Sequence, residues 1–316
     1  MPLLNERTIG ILACPLDQNE LRVHDRGLAC MSGHQFALEN GIPVLTDAVR
    51  RESVPSNMNP CEHRGPDKGI DHFVNDWLVN TNGNLYWRAR GRLQRYPIPV
   101  WPFGHSQGQT VVDIGCGWGR WSIAAARVGF HPIGIDVHID ALAAASRVSK
   151  QLGIQADYVC GDVEHLPLRP ASVDMLFSYS VLQHLGREKV ARFFREAARV
   201  LKPLGICMVQ LPNASGLYNV LRQARRGFRD ARAGTFEMRY WSQAQIREAI
   251  ASAGLQNVRI RADGYFSQNP QFSDLDLFSL SGKLVVLASC AGREASRFLP
   301  ILTRMADSFW VESQAP

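Results

Sequence analysis

The chain has 316 residues, 46% of them hydrophobic and 20% charged, with a formal net charge of +6. That composition excludes a disordered, collagenous or coiled-coil chain and leaves length for one large domain plus a small one. No apolar run approaches the roughly 18 residues that cross a bilayer, and the opening MPLLNERTIGILACPLDQNE lacks the long apolar core of a signal peptide. Seven scattered cysteines are an odd number and do not make a secreted disulfide framework, so a cytoplasmic location without a membrane partner is expected. The positive excess suits an anionic small molecule or RNA.

Residues 1–48 are dense in turns and hold Cys14-Pro-Leu-Asp17 and Cys30-Met-Ser-Gly-His34. Paired knuckles of this kind bring thiolate and imidazole together for tetrahedral zinc, with Asp17 standing where a second cysteine is usual. The alternatives stay open: one structural zinc on Cys14, Asp17, Cys30 and His34, or a small ribbon without its metal. Residues 49–68 carry prolines and little periodicity and read as a linker; its Cys61 and His63 are candidate replacement ligands. From 69 to 104 the pattern is helical until Pro97, Pro99 and Pro102 stop it, a preamble expected to act as a cofactor lid.

From 105 to 316 short apolar runs alternate with helical segments. TVVDIG is followed by a helix, then HPIGID, a second helix, ADYVCGD, SVDMLFSYS, the helix REKVARFFREAARVLK and ICMVQLPN. Strands that read as continuous apolar runs are buried on both faces, and alternation with helices implies parallel crossovers. The expectation is a doubly wound α/β domain, with a substrate lid near 214–241 and a helical inset near 273–306. Ser308-Phe-Trp-Val311 is the preferred last strand, with KLVVLAS as the competitor.

The strongest signal is Val111-Val-Asp113-Ile-Gly115-Cys116-Gly117-Trp118-Gly119-Arg120. Glycines in such a turn permit positive φ and close approach of backbone to a ligand. The dinucleotide pattern G-x-G-x-x-G fails, because Arg120 occupies its third glycine position. The stretch resembles instead the G-x-G-x-G motif of class I S-adenosylmethionine (SAM) methyltransferases. Three further matches follow in order: Asp136 ending the second strand, Cys160-Gly161-Asp162-Val163 ending the third, and Asp174 to His184 along and beyond the fourth. Arg199-Val-Leu-Lys-Pro-Leu204-Gly205 is similar to the family's turn after the next helix, with Leu204 in place of its first glycine. The resemblance implies a Rossmann-like seven-stranded sheet and SAM as cofactor. It assigns Asp113, Gly115, Cys116, Gly117 and Val137 to cofactor binding, Asp136 to the ribose hydroxyls, and Gly161, Asp162 and Val163 to the adenine edge. Ser178 and Tyr179 lie under the methionine moiety on the same reading. The N-terminal segment resembles the zinc-ribbon-like domain of some methyltransferases, including bacterial rRNA guanine methyltransferases.

For the methyl acceptor, His184 is the candidate base, since histidine removes protons near neutral pH. Arg225, Arg226 and Arg229, with Tyr240, are expected to bind an acidic or phosphorylated acceptor, because arginine pairs bidentately with such groups. No N-P-P-Y-like segment follows the fourth strand, and no Pro-Cys nucleophile sits at a strand end, which disfavours exocyclic-amine and pyrimidine-carbon methylation. The expected activity is methyl transfer to a small or medium-sized acceptor, at oxygen, in secondary or glycan-related metabolism. The alternatives are an rRNA or tRNA base methyltransferase and a non-catalytic SAM-fold adaptor; no partner protein is implied.

Overall fold

A computed structural model of the chain describes residues 4–25, 27–50, 69–229, 237–266 and 271–316. Most of the expected linker, with Cys61 and His63, lies outside the described residues. Contacts divide the chain into two compact units, Met1–Met175 and Leu176–Pro316.

The first unit opens with helix α1 (Glu6–Ile11), capped by Asn5, whose side chain accepts from the Arg7 amide. An antiparallel sheet follows, of β1 (Leu21–His24), β2 (Gly27–Cys30), β3 (Gln35–Glu39) and β4 (Ile42–Pro43). Helix α2 (His72–Asn82) starts on Asp71, whose carboxylate accepts from the Phe73 amide, and Gly83 at φ +96 ends it. A 3₁₀ segment, Asn84–Ala89, completes the preamble. Residues 90–109 hold no helix, because Gly91 and the proline run break the pattern that reads as continuous helix in the sequence. Next come β5 (Thr110–Ile114), α3 (Arg120–Ala126), β6 (His131–Asp136), α4 (Ile139–Gln151) and β7 (Asp157–Cys160). Every residue of β5 is buried, Thr110 and Asp113 included, as a parallel strand covered on both faces requires.

β8 (Val173–Tyr179) spans the division between the units. The second unit continues with α5 (Arg187–Val200), β9 (Leu201–Pro212), α6 (Leu217–Arg225), α7 (Gln243–Ser252) and β10 (Gln256–Gly264). It ends with α8 (Leu280–Ser296), α9 (Pro300–Met305) and β11 (Ser308–Gln314). KLVVLAS is therefore helical, and the last strand is the one beginning at Ser308.

The seven-stranded sheet has the order β10-β11-β9-β8-β5-β6-β7. β5, β6 and β7 run parallel, and β11 inserts antiparallel to both its neighbours. This is the expected Rossmann-like α/β sheet. The strand order reverses at β5, and ligands of doubly wound sheets bind beyond the carboxyl ends of strands at such a reversal. In the first unit a core of Ile42, Cys116, Ile139, Leu142, Tyr158 and Cys160 joins the small sheet to the edge of the large one. Backbone bonds reinforce it: the Leu45 amide donates to the Cys160 carbonyl at 2.7 Å, and the Ala13 amide to the Pro167 carbonyl at 3.0 Å.

Leu204 shows what the missing glycine costs. It sits at φ +62 with its side chain 68% exposed, so it carries left-handed strain with little packing in return. A left-handed non-glycine residue costs about 1–2 kcal/mol, and glycine's extra unfolded-state entropy returns about 0.5–1 kcal/mol of that. Leu204→Gly is expected to stabilise the fold by about 0.5–1 kcal/mol, read as a higher denaturant midpoint at unchanged slope. A lower midpoint would assign the leucine a packing role.

Candidate functional site

The glycine turn is built from the end of β5. The Gly115 and Cys116 amides both donate to the Ile135 carbonyl, at 2.7 and 3.2 Å, which ties the turn to β6. Gly117, at φ +53, donates its amide to Asp136 Oδ2 at 2.9 Å. A Cβ on Gly117 would meet only the Thr81 methyl, at 3.8 Å, so the space over the turn is bounded by α2 and not filled. Gly119 is required for a different reason: it lies at φ +80, and a Cβ there would fall 2.5 Å from the Tyr158 hydroxyl. Trp118 is buried and donates its indole N–H to Thr81 Oγ1 at 3.1 Å and Asn82 Oδ1 at 3.3 Å. The preamble helix thus holds the turn directly.

Asp136 is the hub of the first unit's strand ends. Its Oδ2 accepts from Gly117; its Oδ1 accepts from the His138 amide at 2.9 Å and lies 3.2 Å from His138 Nδ1. Its carbonyl accepts from the Gly161 amide at 3.1 Å, which brings the end of β7 alongside. A carboxylate has about four acceptor positions, two on each oxygen, so Oδ2 keeps room for a further donor and the group suits a ligand hydroxyl. Asp162, one residue beyond, accepts from the Glu164 amide at 3.1 Å, which holds its carboxyl in a tight turn, with Val163 between. Asp113 is buried, and burial raises its carboxyl to about 7; a 2.7 Å bond from Ser122 Oγ and the charge of Arg120 oppose that rise. The structure therefore brings Asp113, Gly115, Cys116, Gly117, Asp136, Val137, Gly161 and Asp162 to three neighbouring strand ends.

In the second unit β8 ends at Ser178 and Tyr179, both buried. The Tyr179 hydroxyl donates to Asp263 Oδ2 at 3.3 Å, and the same oxygen accepts from Gln210 Nε2 at 3.2 Å and Ser308 Oγ at 2.9 Å. Burial raises the Asp263 carboxyl above its usual range. Sequence reasoning missed Asp263, because an acid in ADGYF is indistinguishable from surface charge until β8, β9, β10 and β11 are side by side. His184 closes a single 3₁₀ turn, Leu182–His184, after Ser180, which is strained at φ +61. Its carbonyl accepts from Arg239 at 3.0 Å, and its Nε2 lies 3.3 Å from Gln183 Nε2. Arg225, Arg226 and Arg229 are exposed at the end of α6, and Tyr240 is half-buried before α7.

The N-terminal cluster is also assembled. Cys14, Asp17, Cys30 and His34 each offer a ligand atom, all within 4.8 Å of one another. His34 Nδ1 lies 3.4 Å from both sulfurs and 3.2 Å from Asp17 Oδ2, and Cys30 Sγ is 3.5 Å from that oxygen. Tetrahedral zinc with bonds of about 2.0–2.3 Å separates its ligands by about 3.3–3.8 Å, so the donor set and spacing fit the ion. Burial raises the Cys14 thiol to about 11, and hydrogen bonds, first from Cys14 and then from the Asn19 amide, hold Asp17 well below the usual carboxylate range.

Comparison with known proteins bears on the same region. Residues 111–205 match the family described as "Methyltransferase domain". A probable S-adenosylmethionine-dependent methyltransferase of Mycolicibacterium smegmatis is 31% identical over 172 residues, 54% of this chain and 60% of that protein. The biotin biosynthesis bifunctional protein of Cellvibrio japonicus is 31% identical over 46% of this chain and 27% of its own length. A ubiquinone biosynthesis O-methyltransferase of Azorhizobium caulinodans is 30% identical over 35% and 46% respectively. The chain thus spans between 27% and 60% of the length of these curated relatives. Among solved structures, a SAM-dependent methyltransferase of Methanosarcina mazei is 16% identical and aligns over 69% of this chain and 98% of that one, with a TM-score of 0.49. The glycine turn, Asp136, Asp162 and the strand and helix that follow all fall inside the matched segment.

Proposed function

We propose that the chain is a SAM-dependent methyltransferase acting on a small or medium-sized anionic acceptor, at oxygen, in secondary or glycan-related metabolism of the cytoplasm. The observation that carries the reading is the Asp136 carboxylate, tied to the Gly117 amide at 2.9 Å and with acceptor capacity left on Oδ2. Asp136 takes the two ribose hydroxyls, Asp162 and the Val163 amide take the adenine edge, and the 115–117 turn faces the methionine end. Ser178 and Tyr179 contribute from the end of β8. When bound, SAM supplies an electrophilic methyl group on a sulfonium. The protein's part in such an in-line displacement is chiefly positioning. His184 takes the proton from the acceptor hydroxyl as the oxygen attacks, Tyr240 walls the acceptor, and Arg225, Arg226 and Arg229 attract its negative charge. A structural zinc held by Cys14, Asp17, Cys30 and His34 cross-links the small sheet and takes no part in the chemistry.

Asp136→Ala is expected to weaken SAM binding by about 1.5–3 kcal/mol, the range for charge-assisted hydrogen bonds. Titration calorimetry measures it, and a wild-type protein that binds NAD but neither SAM nor its demethylated product would refute the reading.

For His184→Ala the expectation is near-normal SAM affinity with turnover reduced on the order of 10²–10⁴-fold, the worth of a positioned general base. A small loss of rate would favour a ring nitrogen with a free lone pair, and with it the RNA reading that the zinc-type cluster supports. Joint loss of affinity and rate would return His184 to a structural role.

Elemental analysis is expected to find about one zinc per chain, falling on Cys30→Ser. Stoichiometric metal that survives loss of both Cys14 and Cys30 would exclude this site.

A further inference from the structure

Two helices of the second unit are built the wrong way round for a water-facing surface. In α6, Leu217, Val220, Leu221 and Ala224 recur at i, i+3, i+4 and i+7 and form one apolar stripe. All four are exposed. The side turned to the protein is polar: Asn219 is buried, and its amide donates to the Asn213 and Asp307 carbonyls at 2.9 and 2.6 Å. Gln223, a turn later, donates to the Ala214 carbonyl at 2.8 Å. The buried Asp307 carboxylate caps the helix, accepting from the Tyr218 and Asn219 amides at 2.8 and 3.1 Å. The polar side of α6 is thus held to the protein by hydrogen bonds, while its apolar stripe is presented outward.

α8 repeats the arrangement. Its buried face carries Gly282, Val286 and Ser289, and Leu280, Leu284 and Leu287 form an outward stripe, 77%, 60% and 47% exposed. Exposed apolar side chains also lie on the segments beside these helices. Phe266, 49% exposed, donates its amide to the other oxygen of Asp307, at 2.6 Å, and so sits beside the first turn of α6. Ile301 of α9, the helix that ends just before Asp307, is 57% exposed. Patches of this kind mark a partner that offers apolar contact.

Charge identifies the partner. Residues 217–229 carry Arg222, Arg225, Arg226 and Arg229 and no acid. Arg222 lies over the Tyr218 ring, 4.4 Å from its centroid, at the edge of the stripe. An apolar stripe flanked by arginine is the pattern of a helix lying in a bilayer interface, apolar side chains among the acyl chains and cations among anionic headgroups. A second copy fits poorly, since a two-fold contact sets the same patch against itself and would place these arginines against one another. We propose that α6, with the adjoining apolar surface of α8, α9 and Phe266, docks on an anionic phospholipid bilayer. This reverses the expectation of no membrane partner, which rested on the lack of a spanning run; among the described residues no helix is long and apolar enough to cross a membrane. The docking surface shares Arg225, Arg226 and Arg229 with the proposed acceptor contacts, but it does not rest on the cofactor reading.

The test is co-sedimentation of the full chain with vesicles of phosphatidylcholine alone and of phosphatidylcholine mixed with phosphatidylglycerol. Binding is expected only to the anionic vesicles and should fall at least about tenfold between roughly 0.05 and 0.5 M salt. The double variant Leu217→Ser, Leu221→Ser should lose at least about tenfold in partitioning. Both side chains are exposed, and SAM binding by calorimetry should be unchanged, which separates failure of this proposal from failure of the cofactor reading. Absence of vesicle binding, or equal binding to neutral and anionic vesicles, would overturn the proposal. So would a wild-type dimer by light scattering that the double variant converts to monomer, since the stripe would then belong to a second copy.

Discussion

The hydrogen bond from the Gly117 amide to Asp136 Oδ2 is the constraint on which the first unit's strand ends depend. The turn must leave β5, reverse through three positive-φ glycines and enter α3, and nothing within the turn itself fixes its height above the sheet. The carboxylate of the next strand does so. The same residue's carbonyl takes the Gly161 amide, so one aspartate sets the separation of three strand ends. Because β5 and β6 pair in parallel register, with Ile114 opposite Ile135, Asp136 is the first residue past the ladder that can reach the turn. The acid is thereby positioned by the sheet.

The turn is enclosed from above by the preamble. Trp118 is too large to be buried without a partner for its indole N–H, and Thr81 and Asn82 supply one. This explains why α2 must end where it does. Asp71 starts the helix and also receives Arg147 of α4, with Nε at 2.7 Å, so both ends of α2 are tied to the sheet domain. On the opposite side Gly119 leaves room for the Tyr158 hydroxyl, which bonds Ser149 at 2.7 Å. Each glycine in the motif answers to a different neighbour.

The small N-terminal sheet is joined to the same unit at the amino ends of β6 and β7. Thr8 of α1 is buried and donates its hydroxyl to Asp157, and His131 Nε2 lies 2.9 Å from the same hydroxyl. A five-residue strand and its shorter neighbours cannot bury enough apolar area to stand alone, so the small sheet relies on this clamp and on the Cys160 edge. The cluster of Cys14, Asp17, Cys30 and His34 lies far in sequence from the glycine turn and shares no residue with it, which fits a structural role.

The sequence by itself determined the alternation of strands and helices, the glycine turn, and the acids at the ends of β6 and β7, because each is local: burial on both faces shows as an apolar run, and a tight turn shows as glycine spacing. It also determined the four ligand-type residues of the ribbon, whose two pairs each close over a few residues. What only the tertiary structure decided are relations between segments far apart in the chain. The network of Tyr179, Gln210, Asp263 and Ser308 draws one side chain from each of four strands, and no window of sequence contains it. The preamble reads as one helix, yet Gly83 divides it and the tie to Trp118 sets its end. The helices α6 and α8 make the point most clearly. Periodicity reveals an apolar stripe on each, but not which side meets the protein. For α6 the choice falls to the buried carboxylate of Asp307, which holds the polar side inward; on α8 Gly282, Val286 and Ser289 are the buried residues, and Leu280, Leu284 and Leu287 are left outside.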